Sequence, residues 1–488
     1  MSTEVLIRGF FIFIICSIVA YCSYFREDKE ADSEFSDRKG PRYGTYFPMY
    51  VLPLFILFLF LLCMAYYGWK YTAKLMLSWS FGTFFHISAF YIALLLLMPI
   101  LRKYFNARSC AEFWMLPTLF YMVEHSFMSL PEPFWVITIP NNIVWILLGV
   151  WLSGVLVVFL WQILSHLTFR RFILRHAVPV KDAEILDIWQ EEQTLAGFEK
   201  DYSLVISPKV NTPLSIGLFK RSIRVVLPVR EYSGTEMHLL LRHELIHIGR
   251  QDSGAKFFMM FCTAVCWFNP LIWTAMRKSA DDLELSCDET VLIGADEDTR
   301  RKYAELILQT AVDNRGFTTC LSASASALRY RLGNIVKVKK RYNGGLVVGL
   351  VLFLFLMTSG YAALGYDTGL GAELIFYSGT AEEHTVRSIN FGTGEDFDYY
   401  DCADETAFKS YLANLVCTHI TGNYSFPEKD HQMTVIFMGP EGAFGVVLTD
   451  MSVKVTPLHG EKKHAEYYYL QSQIDWDYIS SLLKEQIK

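Results

Sequence analysis

Glu231-Tyr-Ser-Gly-Thr-Glu-Met-His-Leu-Leu-Leu-Arg-His-Glu-Leu-Ile-His-Ile-Gly-Arg-Gln-Asp252 reads as a helix with a marked start. Ser233 followed three residues later by Glu236 is a capping box, and no proline interrupts the run that follows. Four residues separate His243 from His247, which puts both imidazoles on one face within reach of one ion. Glu244 sits beside them as the proton acceptor of a hydrolysis. Zinc suits the pair, because imidazole is a good ligand for it and three protein ligands leave a fourth position for water.

Two histidines on an amphipathic helix arise easily by accident, so a third ligand is needed. Downstream, Asn269 and Pro270 form the cap and first turn of another helix. It leads into Asp281-Asp-Leu-Glu-Leu-Ser-Cys-Asp-Glu289, where Glu284 and Asp288 are again four apart. Glu284 is the expected third metal ligand, and Asp288 is expected to orient a ligand histidine from behind. Taken alone, the two carboxylates would read as a solvated acidic face. Asp252 either holds His247 or solvates the helix end. His238, about 140° round the helix from His243, is expected at the surface. Cys287 is read as a small buried thiol rather than a ligand.

Around this motif lie 488 residues, 52% hydrophobic and only 19% charged, with a mean hydropathy of +0.25. A net charge of -6, from 44 basic and 50 acidic residues, offers no basic excess for direct nucleic-acid binding. Ten scattered cysteines do not make a disulfide scaffold. Of these, Cys402 and Cys417 lie in a polar region that would face an oxidising compartment, and a bridge between them is expected.

Stretches long and apolar enough to cross a bilayer run over 5–25, 47–67, 81–101, 143–164 and 344–364. The first lacks a small-residue cleavage site and is read as an anchor. A shorter stretch, 111–128, is interrupted by Pro117, Glu124 and His125, of which Glu124 and His125 are polar residues that would be wetted near a helix end or else functional. Counting it as a span places the basic loops Arg26–Arg42 and Arg102–Arg108, and the cluster opening at Arg170, on one side, the cytoplasmic one. The expected organisation is a membrane region over 1–164, a cytoplasmic metallopeptidase domain over 165–343, a last span at 344–364 and an extracellular module over 367–488. The fold class is thus a multi-span α-helical membrane protein with two α+β domains. In the last module, Thr434–Met438, Phe444–Thr449, Ser452–Thr456 and Glu466–Leu470 read as strands. Glu405–Val416 and Trp476–Ile487 read as amphipathic helices. It is read as a sensor, with no motif that names a ligand.

The order and spacing of Thr212-Pro-Leu-Ser-Ile-Gly-Leu-Phe-Lys220, Arg224-Val-Val-Leu-Pro228, the His243–Asp252 run, Trp267-Phe-Asn-Pro270 and Glu284-Leu-Ser-Cys-Asp288 resemble the BlaR/MecR-type membrane metallopeptidases over about residues 82 to 364. The resemblance implies a gluzincin domain facing the cytoplasm, with zinc held by His243, His247 and Glu284 and Glu244 as catalytic base. It implies a signal relay in which the protein cuts itself and causes the loss of a cytoplasmic transcriptional repressor. The lipid bilayer, that repressor, an extracellular ligand and a second copy of the chain are the expected partners. The sequence departs from those proteins in its extra N-terminal pair of spans and in its short C-terminal module. Ser481-Leu-Leu-Lys484 matches their SxxK string but lies five residues from the end, too late to be buried in a penicillin-binding domain. The rival reading is a non-catalytic receptor or scaffold with a structural or empty metal site.

Gly316-Phe-Thr-Thr-Cys-Leu-Ser-Ala-Ser-Ala-Ser-Ala327 is rich in small residues and reads as an accessible loop before the basic segment at Arg329. Gluzincin peptidases often favour a bulky apolar residue just after the cut. Phe317 and Leu321 qualify, and Leu321 is preferred because only small residues follow it, so the candidate bond is Cys320–Leu321. N-terminal sequencing of the C-terminal fragment from cells should find Leu321 first. A new terminus outside residues 314–328, or the same fragment from a Glu244→Gln variant, would remove the idea.

Overall fold

The computed structural model describes residues 3–31, 51–116, 130–131, 133–198, 202–219, 221–312, 325–336, 341–358, 361–377, 379–393, 396–422, 424–425, 431–458 and 465–485. The expected polar pair Glu124 and His125, and the candidate cleavage bond Cys320–Leu321, lie outside the described residues. In chain order the apolar helices are α1 (Thr3–Ala31), α2 (Leu52–Tyr67), α3 (Trp69–Tyr104) and, after the short α4 (Ala107–Met115), α5 (Asn141–Leu174). Among the described residues two helices, within α3 and α5, are long and apolar enough to cross a membrane, while Gly9–Cys22, Pro53–Tyr67 and Gly345–Met357 are shorter apolar helices.

The middle of the chain alternates strands and helices. It runs β3 (Val178–Pro179), α6 (Ala183–Leu195), β4 (Ser203–Ile206), β5 (Leu214–Ile216) and β6 (Arg224–Leu227), then α7 (Gly234–Arg250), α8 (Asp252–Val265), α9 (Pro270–Val291), α10 (Glu297–Val312) and α11 (Ala325–Val336). Its four strands form one sheet in the order β3-β4-β6-β5, with β4 and β6 parallel and the outer pairs antiparallel. Leu204, Val225 and Leu227 of this sheet pack against Leu241, Leu245 and Ile248 of α7 and Trp189 of α6 in one apolar cluster. The period-3.6 stripe of α7 is buried by this contact, which leaves its opposite side free to face α9 and α10. Those meet it through Leu239, Leu240 and Ile246 packed on Cys287, Val291 and Tyr303.

α12 (Gly345–Met357) leads into the C-terminal module. The module contains β7 (Ala362–Leu370), β8 (Thr385–Thr393), β9 (Asp396–Cys402), α13 (Glu405–Asn414), β10 (Val416–Ile420), β12 (His431–Gly439), β13 (Gly442–Leu448), β14 (Ser452–Pro457), β15 (Glu466–Leu470), α14 (Trp476–Ser481) and β16 (Leu483–Glu485). The sheet runs β16-β9-β8-β12-β13-β14-β15-β10-β7-β2. Its last strand, β2 (Trp135–Thr138), comes from the connection before α5 and pairs in parallel with β7, Trp135 opposite Ala362. The two-residue strands β1 (Leu130–Pro131) and β11 (Tyr424–Ser425) make a second junction of the same kind.

Four expectations change here. The apolar stretch 344–364 is helical only to Met357, and Ala362–Leu370 becomes a strand because β10 and β2 offer its backbone ladder partners on both sides. The expected helix at Trp476–Ile487 stops at Ser481, and Leu483–Glu485 pairs with the edge of β9. The helix from Glu405 ends at Asn414, so that Val416 can join the sheet opposite Leu370. Cys402 and Cys417 are both free. They stand on β9 and β10, with five strands between them in the sheet order, so the expected bridge is not formed.

The central domain is fastened to the apolar helices through α9. Its Asp282 carboxylate, 1% exposed, accepts from the Arg102 guanidinium at 2.8 Å and from the Trp114 indole N–H at 2.7 Å. One turn from the end of α9, Glu289 accepts from the Ala107 amide at the start of α4 at 2.9 Å. On α5, a Cβ at Gly154 would lie 2.2 Å from the Trp267 indole, so only glycine admits that ring. Removing one member of a buried charged pair strands the other, which sets the expected cost of Asp282→Ala at about 3 kcal/mol. Thermal unfolding in detergent micelles should show the corresponding drop in midpoint, with Asp282→Asn intermediate. An unchanged midpoint in Asp282→Ala would mean that this pair does not fasten the domain.

Candidate metal centre

The capping box at the start of α7 is formed: the Ser233 hydroxyl accepts from the Glu236 amide, and the Glu236 carboxylate accepts from the Ser233 amide at 2.8 Å. α7 ends where Gln251 takes a left-handed conformation (φ 55°), and the turn feeds Asp252 directly into α8. This sharp corner folds Asp252 back on α7, where its carboxylate accepts from His247 Nδ1 at 2.6 Å. α9 starts as expected, with the Asn269 side chain accepting from the Leu271 amide behind Pro270. The buried Arg250 then ties the two helices, donating to Ser286 at 3.0 Å and to Thr290.

Three side chains converge where α7 crosses α9. His243 Nε2 and His247 Nε2 are 3.2 Å apart. The two oxygens of Glu284 lie 3.6 Å from one nitrogen each. Ligands bound about 2.0–2.1 Å from a tetrahedral cation stand roughly 3.3 Å from one another, so this spacing fits a single ion. Glu244, on the same turn of α7, is buried. Cys287 also lies close: its thiol can be grouped with the two histidines as a ligand set, and it donates to the His243 carbonyl at 3.3 Å. The Glu284 carboxylate also meets the half-exposed Lys256 at 3.3 Å and lies 3.8 Å from Arg331 Nη1.

Behind the two histidines lies a network of which the sequence announced only Asp288. The Tyr303 hydroxyl of α10 is 2.9 Å from His243 Nδ1 and donates to Asp288 at 2.8 Å. Asp288 stands 3.5 Å from His243 Nδ1, with the phenol bridging the two. Arg331 of α11 donates to both Asp288 oxygens at 2.8 Å. Neither Tyr303 nor Arg331 has a local signature. One reads as an apolar-face aromatic and the other as part of a basic run. His238, expected at the surface, is only partly so: it joins Arg242 in donating to Glu192, a carboxylate 2% exposed on α6. A buried acid needs such partners, and α6 brings it there.

The charges are strongly coupled. Burial pushes the His243 imidazole down, but the sulfur of Cys287 and the Glu284 carboxylate outweigh it, and the group is pushed up to about 10. His247 is raised too, against its burial, by Cys287, Glu284 and Asp252. Burial raises Glu284, yet His247 and Lys256 hold it well below the usual carboxylate range.

The family model described as BlaR1 peptidase M56 matches residues 52–335. Regulatory protein BlaR1 of Bacillus licheniformis is 29% identical over 183 residues, which cover 38% of this chain and 30% of that protein.

Because both imidazoles hold protons above their ordinary range, a cation must displace protons to bind. Zinc affinity, measured by chelator competition between pH 6 and pH 8, should therefore rise with pH by about tenfold per unit for each proton displaced. A flat profile would show that neither histidine gives up a proton.

Proposed function

The chain belongs to the BlaR1 peptidase M56 family, a family of metallopeptidases, and from that premise we propose that it is a membrane-bound zinc endopeptidase that relays an external signal by proteolysis. The observation that carries this reading is the convergence of His243 Nε2, His247 Nε2 and the Glu284 carboxylate beside a buried Glu244. When bound, zinc supplies Lewis acidity toward water and a scissile carbonyl. The chain's own residues do the rest. Asp252 accepts from His247 Nδ1, so once the ring is neutral its lone pair lies on Nε2, toward the site. Glu244 takes a proton from the attacking water as the new C–O bond forms, and delivers it to the amine as the C–N bond breaks.

β5 supports an extended protein substrate. It is an edge strand paired on one side with β6, and it packs against α7. A peptide added along its free edge would run past the metal helix with its carbonyls held in register. In the relay, the substrates are a cytoplasmic repressor and the chain itself, at the bond Cys320–Leu321. The domain over 165–343 faces the cytoplasm, and the C-terminal module receives the signal outside. Zinc is the metal that the two imidazoles and one carboxylate favour.

Glu284→Ala should lose bound zinc, whereas Glu244→Gln should keep it and lower cleavage in membranes by at least about 100-fold, because one residue is a ligand and the other a proton acceptor. Equal zinc retention in the two variants would exclude Glu284 as the third ligand. Undiminished cleavage by Glu244→Gln would favour a non-catalytic receptor and another protease.

A further inference from the structure

We propose that Arg331 is a positioning residue for the metal centre, acting through Asp288 and the Tyr303 hydroxyl to hold His243 in the one ring state that can ligate. The inference rests on the metal-centre reading above and adds to it residues of α10 and α11 that touch no substrate.

The argument is a count of protons. Arg331 can only donate, and its Nε and Nη2 each meet one oxygen of Asp288 at 2.8 Å, the two-pronged match of a guanidinium to a carboxylate. Asp288, 1% exposed, is thereby fixed in orientation. Tyr303 has one hydroxyl proton and spends it on Asp288 Oδ1 at 2.8 Å. Toward His243 Nδ1, 2.9 Å away, the phenol oxygen is then left only as an acceptor. The neutral His243 ring must carry its proton on Nδ1, and its lone pair falls on Nε2. That nitrogen is the one facing His247 Nε2 at 3.2 Å and Glu284 at 3.6 Å.

Without the guanidinium fork, Asp288 is free to rotate and the phenol is free to turn its proton toward Nδ1. That would place the lone pair on the wrong side of the ring. A lysine cannot substitute, because a single ammonium does not fix both oxygens. The arrangement also explains why α11 sits where it does. Tyr330, the preceding residue, lies with its ring 5.2 Å from the Arg102 guanidinium, so the helix is held both to the metal helix and to the end of α3.

The full-length protein in detergent micelles is titrated with zinc against a chromophoric chelator, alongside His243→Ala, Tyr303→Phe, Arg331→Lys and Arg331→Gly. Tyr303→Phe, which removes one oxygen, and Arg331→Lys should each weaken zinc binding about 10–100-fold. Added methylguanidinium should restore much of the affinity of Arg331→Gly and none of that of Tyr303→Phe. Wild-type affinity in both Tyr303→Phe and Arg331→Lys would overturn the proposal, provided His243→Ala has lost the metal. Retention of zinc by His243→Ala would instead overturn the metal-centre reading beneath it. If Arg331→Gly fails to fold, the Tyr303→Phe and Arg331→Lys affinities decide the matter.

Discussion

The buried carboxylate of Asp282 ties the central domain to the apolar helices. It has no access to water, so its charge depends on Arg102 at the end of α3 and on the Trp114 indole of α4. Such an arrangement tolerates little displacement, because an acid taken out of water is costly as soon as its partners move away. The rest of the architecture hangs on the helix that carries it. At about 100° per residue, Glu289 returns to within roughly 20° of Asp282, and Glu284 lies about 200° away from it. One edge of α9 therefore meets α3 and α4, and the opposite edge, with Glu284 and Asp288, meets the histidines of α7. A movement of the apolar helices would reach Glu284 through a rigid rod and not through a loop.

The other end of α3 is tied as well. Lys74 pairs with Asp367 of β7, and the Ser78 hydroxyl donates to the Thr421 carbonyl. α3 has 36 residues, about 54 Å at 1.5 Å per residue, and so runs from the C-terminal module to Asp282 without a break. The module reinforces this connection by taking β2 into its sheet. Backbone ladders of that kind resist sliding, since a shift of one residue turns every side chain to the other face. At the far side of the junction, His86 Nε2 lies 2.6 Å from the Thr358 carbonyl and closes the end of α12.

The metal centre inherits its order from these constraints. Each of the two histidines has its Nδ1 engaged, one by Asp252 across the corner between α7 and α8, the other by Tyr303. Both Nε2 atoms are consequently directed to one point. The same packing brings Cys287 against the backbone of His243, where the two imidazoles pull the thiol below its ordinary range despite burial. A cation and a proton thus compete for the same small volume, which is a common way for metal loading to be tied to folding.

How much of this was legible in the sequence depends on the range of the interaction. Helix starts at Ser233 and Asn269, the His243–His247 pair and the Glu284–Asp288 pair are consequences of spacing within one helix, and spacing is written in the chain. The strands of the C-terminal module follow from period-two alternation, and four of them stand where the pattern puts them. The conversion of residues 362–364 from the end of an apolar stretch into β7 was not legible, because composition cannot tell a helix from a buried strand until its ladder partners are known. Tyr303 and Arg331 were hidden for a related reason. Their partners are 60 and 43 residues away in sequence, and only the packing of α10 and α11 against α9 and α7 brings a phenol and a guanidinium behind the ligands. Local periodicity determines which face of a helix is polar. Only the tertiary structure decides which charge that face will meet.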